Sequence, residues 1–234
     1  MSRIGSVIAV LLTMFIGCEI THAPDAASGE SDPAQVMRQV VETYHSFSTY
    51  ADQGRSIVHM TDLIYTVEFK TLFKRPGRLR FEWTVQRTEP PGLNQRGLIW
   101  SDGTNAWASY SFHGNKLEPK KDLDLAVAGA TGASWGTAAT IPRLLTDDIR
   151  GSKLDKLQDL KISGNDTADG VECVVLVGNN YASVRTECKI WIGRTDHLIR
   201  RIEERSEGMR REEVRNQIVI NEEIPDSRFS QRGN

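Results

Sequence analysis

This 234-residue chain has few cysteines and no excess of positively charged residues. It has three cysteines, and its 29 Lys and Arg residues are outnumbered by 31 Asp and Glu residues, which gives a formal net charge of −2. A chain of this length buries about 70% of its unfolded surface, so it needs no metal or disulfide to fold. The lack of a basic excess argues against a general nucleic-acid-binding protein, because such a protein uses positive charge to release counterions.

Long apolar segments are equally scarce, since the sequence has one apolar run and it lies at the N-terminus. This excludes a membrane protein with several spans. Apolar residues nevertheless make up 39% of the chain, which is too many for a disordered protein. The length suits one domain or at most two.

The N-terminal apolar run predicts export. It follows Arg3 and covers residues 4–16, which is too short for a membrane anchor but fits the apolar region of a signal peptide. Gly17-Cys18 at its end resembles the lipobox of bacterial lipoproteins, although Phe15 stands where Leu is usual. That resemblance implies cleavage after Gly17 and lipidation of Cys18, with palmitate among the expected acyl groups. An ordinary signal peptide cut near Ala23 is the alternative, and it also predicts export.

The sequence divides into three parts on this basis. Residues 1–17 are the predicted signal peptide, residues 18–31 are the lipidated cysteine with a flexible tether, and residues 32–234 are a single domain. Thirteen tether residues reach at most about 45 Å when extended. Glu19 after the cysteine resembles the pattern of lipoproteins exported to the outer membrane of Gram-negative bacteria. We therefore expect a membrane-anchored protein of the cell envelope that faces the periplasm.

The two remaining cysteines predict a disulfide. With Cys18 assigned to lipid, Cys173 and Cys188 form a pair, and an oxidising envelope permits their bridge. A two-residue turn at Asn180-Tyr181 would place them directly opposite each other on adjacent antiparallel strands.

A change of hydrophobic period separates one helix from many strands. Asp32 and Pro33 are typical of a helix start, and the apolar spacing after them predicts an amphipathic helix over about 32–50. Apolar and polar residues then alternate along 65–70 and 78–85, which indicates half-buried antiparallel strands. The sequence Ala106 to Phe112 continues this pattern after a turn at Asp102-Gly103.

Residues 122–145 interrupt the strands. This segment is rich in Ala, Gly and Thr, and we interpret it as two short helices at about 122–129 and 135–146. Strand patterns return near 157–163, 171–178, 186–193, 197–206 and 210–221. Short links between consecutive strands favour antiparallel meanders, so the sequence predicts a mainly β (α+β) domain of about 10–11 strands with a few covering helices.

The residues that could carry catalysis form few patterns. Gly132 to Gly136 matches the G-x-S-x-G motif of serine hydrolases, with Ser134 as nucleophile and His197 downstream, but the preceding strands lack the crossover helices of that fold. The five histidines show no metal-ligand spacing, and no phosphate-binding glycine loop is present. Basic clusters at 74–80, 200–201 and 210–211 are interpreted as a solvated face, or else as a contact for anionic head groups or for a partner.

The order of motifs resembles bacterial LolA-like proteins, a superfamily that includes lipoprotein carriers and the periplasmic regulator RseB. The resemblance covers about residues 32–229 and rests on the lipobox, the helix that begins Asp-Pro, the Ala/Gly-rich insert and the segments FKRPGRLRFEW, WSDGTNAWASY, DGVEC, KIWIGRTDHLIRRIE and IVINEEIPDSRF. It implies an unclosed antiparallel half-barrel with helices over its concave face. It also implies that the protein holds acyl chains or another lipophilic group without catalysis. The lipoprotein carrier is soluble whereas this sequence has an anchor, so a shuttle role does not follow.

Strand parity then predicts a hydrophobic cavity between the sheet and the 122–146 insert. Its lining residues are expected to be Tyr65, Val67, Phe69, Leu79, Phe81, Trp83, Leu98 and Trp100. A protein-interaction or signal-sensing module of the periplasm is the alternative function, and a hydrolase using Ser134 is a remote one. We expect a monomer whose partners are a lipophilic ligand or lipoprotein acyl chains, the membrane through Cys18 and, in the alternative, an envelope protein. No cofactor, metal or nucleic acid is expected.

Overall fold

The alternating segments pair into one large sheet in the computed structural model, which describes residues 32–151, 154–180 and 186–230. Every strand pairing in it is antiparallel, and the strand order is β6-β5-β4-β3-β2-β1-β11-β10-β9-β8-β7. Two meanders, β1–β6 and β7–β11, are therefore joined where β1 pairs with β11. The strands are β1 Thr49–Met60, β2 Leu63–Lys74, β3 Arg78–Glu89, β4 Asn94–Asp102, β5 Ala106–Tyr110, β6 Leu117–Lys120, β7 Gln158–Ala168, β8 Val171–Asn180, β9 Thr186–Gly193, β10 Ile199–Ser206 and β11 Met209–Ile220.

Helices cover one face of this sheet. They are α1 Pro33–Ser46, α2 Leu123–Ala133 and α3 Pro142–Leu145, with short 3₁₀ turns at Ser111–His113, Thr137–Ala139, Leu154–Lys156 and Asp226–Phe229. Asp32 caps α1, since its carboxylate accepts a hydrogen bond from the Ala34 amide, and Pro33 occupies the first turn. None of the helices in the described ranges is long and apolar enough to cross a membrane.

The position of the insert follows from the strand order. Because β6 and β7 lie at opposite edges of the sheet, the chain between them must cross the whole sheet. That crossing segment carries α2 and α3, and it packs with α1 into one continuous apolar core. We call the side of the sheet that contacts this core the covered face, and the other side the open face.

The predicted fold class is confirmed: the sheet is antiparallel, unclosed and eleven-stranded, with helices on one face. The predicted helix over 32–50 is too long, because α1 ends at Ser46 and β1 begins at Thr49. Strand β1 was not predicted from the sequence, because its apolar alternation is weak: three of its covered-face residues are Asp52, Gly54 and Ser56. Those residues are the first sign that part of the covered face is polar.

Candidate functional site

An aromatic surface occupies the covered face over β2 and β3. The register pairs Phe69 with Trp83, Val67 with Val85 and Phe73 with Leu79, so these side chains share one side of the sheet. Phe81 lies between the rings of Phe69 and Trp83, with ring centroids 5.9 and 5.6 Å away. All of them are buried. The structure therefore brings together six of the predicted residues, namely Tyr65, Val67, Phe69, Leu79, Phe81 and Trp83.

Two glycines allow these rings to lie across neighbouring strands. A Cβ atom on Gly97 would be 2.0 Å from the Trp83 ring, and one on Gly54 would be 2.2 Å from the Phe69 ring. Gly97 faces Trp83 on β4, and Gly54 faces Phe69 on β1. The absence of a side chain at both positions is thus required by packing rather than by a turn.

The prediction for Leu98 and Trp100 is wrong, since both lie on the open face. Trp100 pairs with Arg80 on β3 and stacks on Trp107, with ring centroids 3.9 Å apart. The covered-face residue of this strand is Ile99, which is fully buried opposite Phe81. Apolar residues fill both parities of β4 here, so alternation alone could not assign the faces.

Helix α2 packs on β4, β5 and β6 beside the aromatic surface, and the side chains that it buries there are mostly small. Its buried residues are Leu123, Ala126, Val127 and Ala130. The Trp83 indole Nε1 donates a hydrogen bond of 3.1 Å to the Ala133 carbonyl at the end of α2. Just beyond the helix, Trp135 packs on Tyr65 with 4.6 Å between ring centroids.

The rest of the cover is tied down by a buried network of charged residues, which we call the charged cluster (Asp52, Arg211, Glu213 and Arg215). Arg215 bonds both Asp52 and Glu213, and its Nη2 atom lies 2.6 Å from Thr140 Oγ1, in the crossing segment. Thr140 in turn donates a 2.9 Å hydrogen bond to Glu213. The network fixes this part of the crossing segment to β1 and β11.

The electrostatics of the cluster keep its arginines charged. Burial lowers the pKa of Arg215, but the facing carboxylates of Asp52 and Glu213 outweigh burial, so the net shift of its pKa is upward. Burial also raises the pKa of the Tyr44 and Tyr50 phenols. Both phenols therefore stay neutral, and the Tyr50 hydroxyl donates a hydrogen bond of 2.6 Å to the Asp52 carboxylate.

Sequence reasoning missed this cluster. Charged residues at 211, 213 and 215 alternate along β11, and such a pattern is typical of a solvated face. The structure instead buries all three, with Arg211 only 2% exposed. The signal in the sequence that could have revealed this burial was the weak apolar alternation of β1, the strand that pairs with β11.

The predicted Cys173–Cys188 disulfide is wrong in this structure, where both residues are free buried thiols. Cys173 lies opposite Gly193, and Cys188 lies opposite Gly178. The register differs from the predicted one by five residues, because Asn180 pairs with Thr186. An odd shift places the two sulfurs on opposite faces of the sheet, so they cannot meet. Part of the predicted turn, Tyr181, lies outside the described residues.

Ser134 does not lie in a nucleophile elbow. It follows helix α2 instead of a strand, it is fully buried, and its hydroxyl accepts a hydrogen bond from the Ala138 amide at 3.1 Å. The hydrolase motif requires an exposed serine between a strand and a helix. The G-x-S-x-G match is therefore a helix end. Within the described ranges, no group of three or more His, Cys, Asp or Glu side chains is arranged to hold a metal ion.

The predicted signal peptide, Cys18 and the tether to residue 31 lie outside the described residues. Their assignment stays a prediction from the sequence.

Comparison with known proteins supports the fold. No protein-family model matches the chain, and no curated protein sequence matches it. Among solved structures, it is similar to LprF from Mycobacterium bovis, with a TM-score of 0.51 and 11% identity over 82% of this chain and 94% of LprF. It is also similar to the Mycobacterium tuberculosis lipoprotein LppX (TM-score 0.49, 10% identity, 82% and 97% of the two chains).

A third similar structure is the LolA superfamily protein NE2245 from Nitrosomonas europaea, with a TM-score of 0.36 and 12% identity over 85% of this chain and 97% of that one. At these identities the likeness concerns the fold alone. The likeness to LprF shows a shared fold, which in this protein is an open antiparallel sheet of eleven strands with a helical cover over the described residues.

Proposed function

We propose that this protein is a non-catalytic lipoprotein of the cell envelope that binds a lipophilic ligand between α2 and the aromatic surface of β2 and β3. The observation that carries the proposal is the contrast between a broad aromatic surface and a cover made of small side chains. Phe69, Phe81 and Trp83 offer large flat apolar areas to an acyl chain. Beside them, over β4 and β5, the buried residues Ala126 and Ala130 of α2 occupy little volume.

The attachment of the cover supports α2 as the part that moves. Arg75 on the turn after β2 donates hydrogen bonds to carbonyls at the end of α1 and to Leu145 of α3. Thr140 is held by the charged cluster. In contrast, the hydrogen bond between Trp83 and the Ala133 carbonyl is the one polar contact from α2 to the sheet among the described residues.

Opening at α2 would expose an apolar surface and leave the ion pairs of the charged cluster in place. The ion pair of α2 that such a movement affects is the one between Asp124 and Arg150, whose side chain is largely exposed. The cost of opening is therefore mainly the loss of apolar contacts, and an acyl chain that takes the place of α2 restores such contacts. Lipidation at Cys18 would hold the domain at a membrane, where acyl chains are abundant. These steps define a ligand class, a lipid or acyl chain, and not a particular lipid.

The first test uses the fluorescent fatty acid cis-parinaric acid with the full-length chain in a Cys18→Ser background, which removes the protein's own acyl groups. Binding beside Trp83 should give saturable energy transfer from tryptophan to the probe. Trp83→Phe keeps an aromatic ring but removes the hydrogen bond to Ala133, so α2 opens more readily. Because this variant lacks the Trp83 donor, its affinity is read from the probe's own fluorescence, in parallel with the wild type. We expect the apparent affinity for the probe to rise about three- to tenfold, which corresponds to one hydrogen bond.

Trp107→Phe is the matched control, because Trp107 stacks on Trp100 on the open face. It should leave the affinity for the probe unchanged. If the probe does not saturate, or if both variants change its affinity equally, binding under α2 is wrong and the interaction-module hypothesis takes its place.

A further inference from the structure

The open face carries a groove that runs from the edge of β11 across β1, β2 and β3 to β4, on the side away from the aromatic surface. Its floor is the backbone of the directly paired residues Gly54, Phe69, Trp83 and Gly97, whose side chains, where present, point to the covered face. Its volume is about 570 Å³, which is within the range of small-molecule sites. The groove therefore has the size of a binding site and a rigid, fully paired base.

Two rows of polar side chains form the walls. One wall is the row Arg55, Glu68, Thr84 and Arg96, and the other is the row Gln53, Lys70, Glu82 and Leu98. Arg55 and Arg96 stand on strands β1 and β4, which are three strand spacings, or about 14 Å, apart. Cationic groups thus lie at both ends of the groove, and Lys70 lies between them on the opposite wall.

Four cations line the groove, namely Arg55, Lys70, Arg80 and Arg96. Most of them have no charged partner in the part of the chain that the structure describes. Arg80 bonds Glu82 and the Ser230 carbonyl. Among the described residues, Arg55, Lys70 and Arg96 form no ion pair, and neither does Glu68. With four cations and two carboxylates in its lining, the groove has a formal charge of +2, although the whole chain has a charge of −2. The positive groove is therefore not a consequence of overall composition.

A second groove of about 460 Å³ continues the first toward the C-terminal segment. The two share lining residues that include Gln53, Lys70 and Arg80, and the second adds Arg228. Asp52 also lines it, but its carboxylate is bound to Arg215. The C-terminal segment is fixed on this face by Lys74, whose Nζ lies 2.6 Å from Asp226 and 2.9 Å from the Ile224 carbonyl. The continuation adds positive charge and length.

We propose that this open-face groove binds a soluble, elongated anion that carries two or more carboxylate or phosphate groups. Arginine and lysine side chains bind such groups through charge-assisted hydrogen bonds. The separated cations select an anion with spaced charges, while Glu68, Glu82 and Thr84 accept hydrogen bonds from hydroxyl groups between them. The site is independent of lipid binding, because it lies on the other side of the sheet.

The test measures binding of trigalacturonic acid and inorganic tripolyphosphate to the full-length chain by calorimetry at low and high salt. A triple variant with Arg55→Gln, Lys70→Gln and Arg96→Gln should lose at least tenfold in affinity. Its melting temperature should be kept, because these exposed side chains form no ion pair among the described residues and the one hydrogen bond lost, from Arg55 to Thr66, is long at 3.5 Å. A control triple with Arg38→Gln, Lys116→Gln and Lys121→Gln removes the same charge elsewhere and should bind normally. Glu68→Gln should tighten binding about two- to fivefold.

Three results would overturn the proposal. Wild-type protein that binds neither anion would exclude the site, and equal losses in the two triple variants would reduce binding to a general charge effect. Binding only to phosphatidylglycerol vesicles, with neither soluble anion bound, would identify a membrane surface as the partner of this face.

Discussion

Replacement of Arg215 by methionine is expected to lower the free energy of unfolding by about 3–5 kcal/mol, because it leaves buried Asp52 without its cation and leaves Glu213 paired with Arg211 alone. Arg215 is fully buried, and it bonds both Asp52 and Glu213. Its guanidinium also lies 4.6 Å from the Phe69 ring, so the change loses a cation–π contact as well. Urea unfolding followed by circular dichroism measures the effect.

Arg210→Met is the matched control, since Arg210 belongs to the same strand but is about half exposed on the open face. Its loss should cost less than about 1 kcal/mol. If Arg215→Met does not fold, Thr140→Val gives a milder test: it removes the hydroxyl that bonds Glu213 and Arg215, at an expected cost of about 1–3 kcal/mol. Equal stability of the Arg215 and Arg210 variants would mean that the charged cluster does not hold the cover.

Cys18→Ser is expected to move the protein out of the membrane fraction, either as a soluble protein or as an unprocessed precursor. Two or three acyl chains hold a protein at a membrane far more firmly than one chain, since each buried CH₂ adds about 0.8 kcal/mol. Fractionation of cells labelled with radioactive palmitate measures both attachment and acylation. Cys173→Ser is the control, because it also removes one cysteine but leaves the lipobox intact.

Two results would contradict the prediction that Cys18 is lipidated. A Cys18→Ser protein that is cleaved correctly and still sediments with membranes would show that Cys18 is not the anchor. Cleavage of the wild-type protein near Ala23, with Cys18 removed, would support the ordinary signal peptide instead.

The sequence predicted the sheet best where one face is apolar and the other polar. Strands β2 and β3 alternate cleanly, and this was enough to place Phe69, Phe81 and Trp83 on the same face. The order of segments also predicted antiparallel meander pairing with a helical insert between the two groups of strands. These features depend on local periodicity, which is visible in one chain.

The errors arose where partners distant in sequence decide the structure. Strand β1 and the charged cluster bury polar groups that become acceptable only once Asp52 meets Arg215, 163 residues later. Trp100 is buried on the open face, 7% exposed, on a strand that the C-terminal turn contacts. The predicted cysteine register is wrong because Asn180 pairs with Thr186, whereas a two-residue turn at Asn180-Tyr181 would set a register five residues away.

Photo-crosslinking with a fatty acid tests directly whether a lipophilic ligand binds between α2 and the aromatic surface. Palmitate that carries a diazirine on its chain is added to the purified full-length Cys18→Ser protein, and the mixture is illuminated. Peptide mass spectrometry then identifies the labelled residues. If the ligand binds there, labels should appear on α2 and on covered-face residues of β2 and β3, such as Phe69 and Trp83, and excess unlabelled palmitate should remove them. Labels confined to the open face, or labels that excess palmitate does not reduce, would contradict binding at this site.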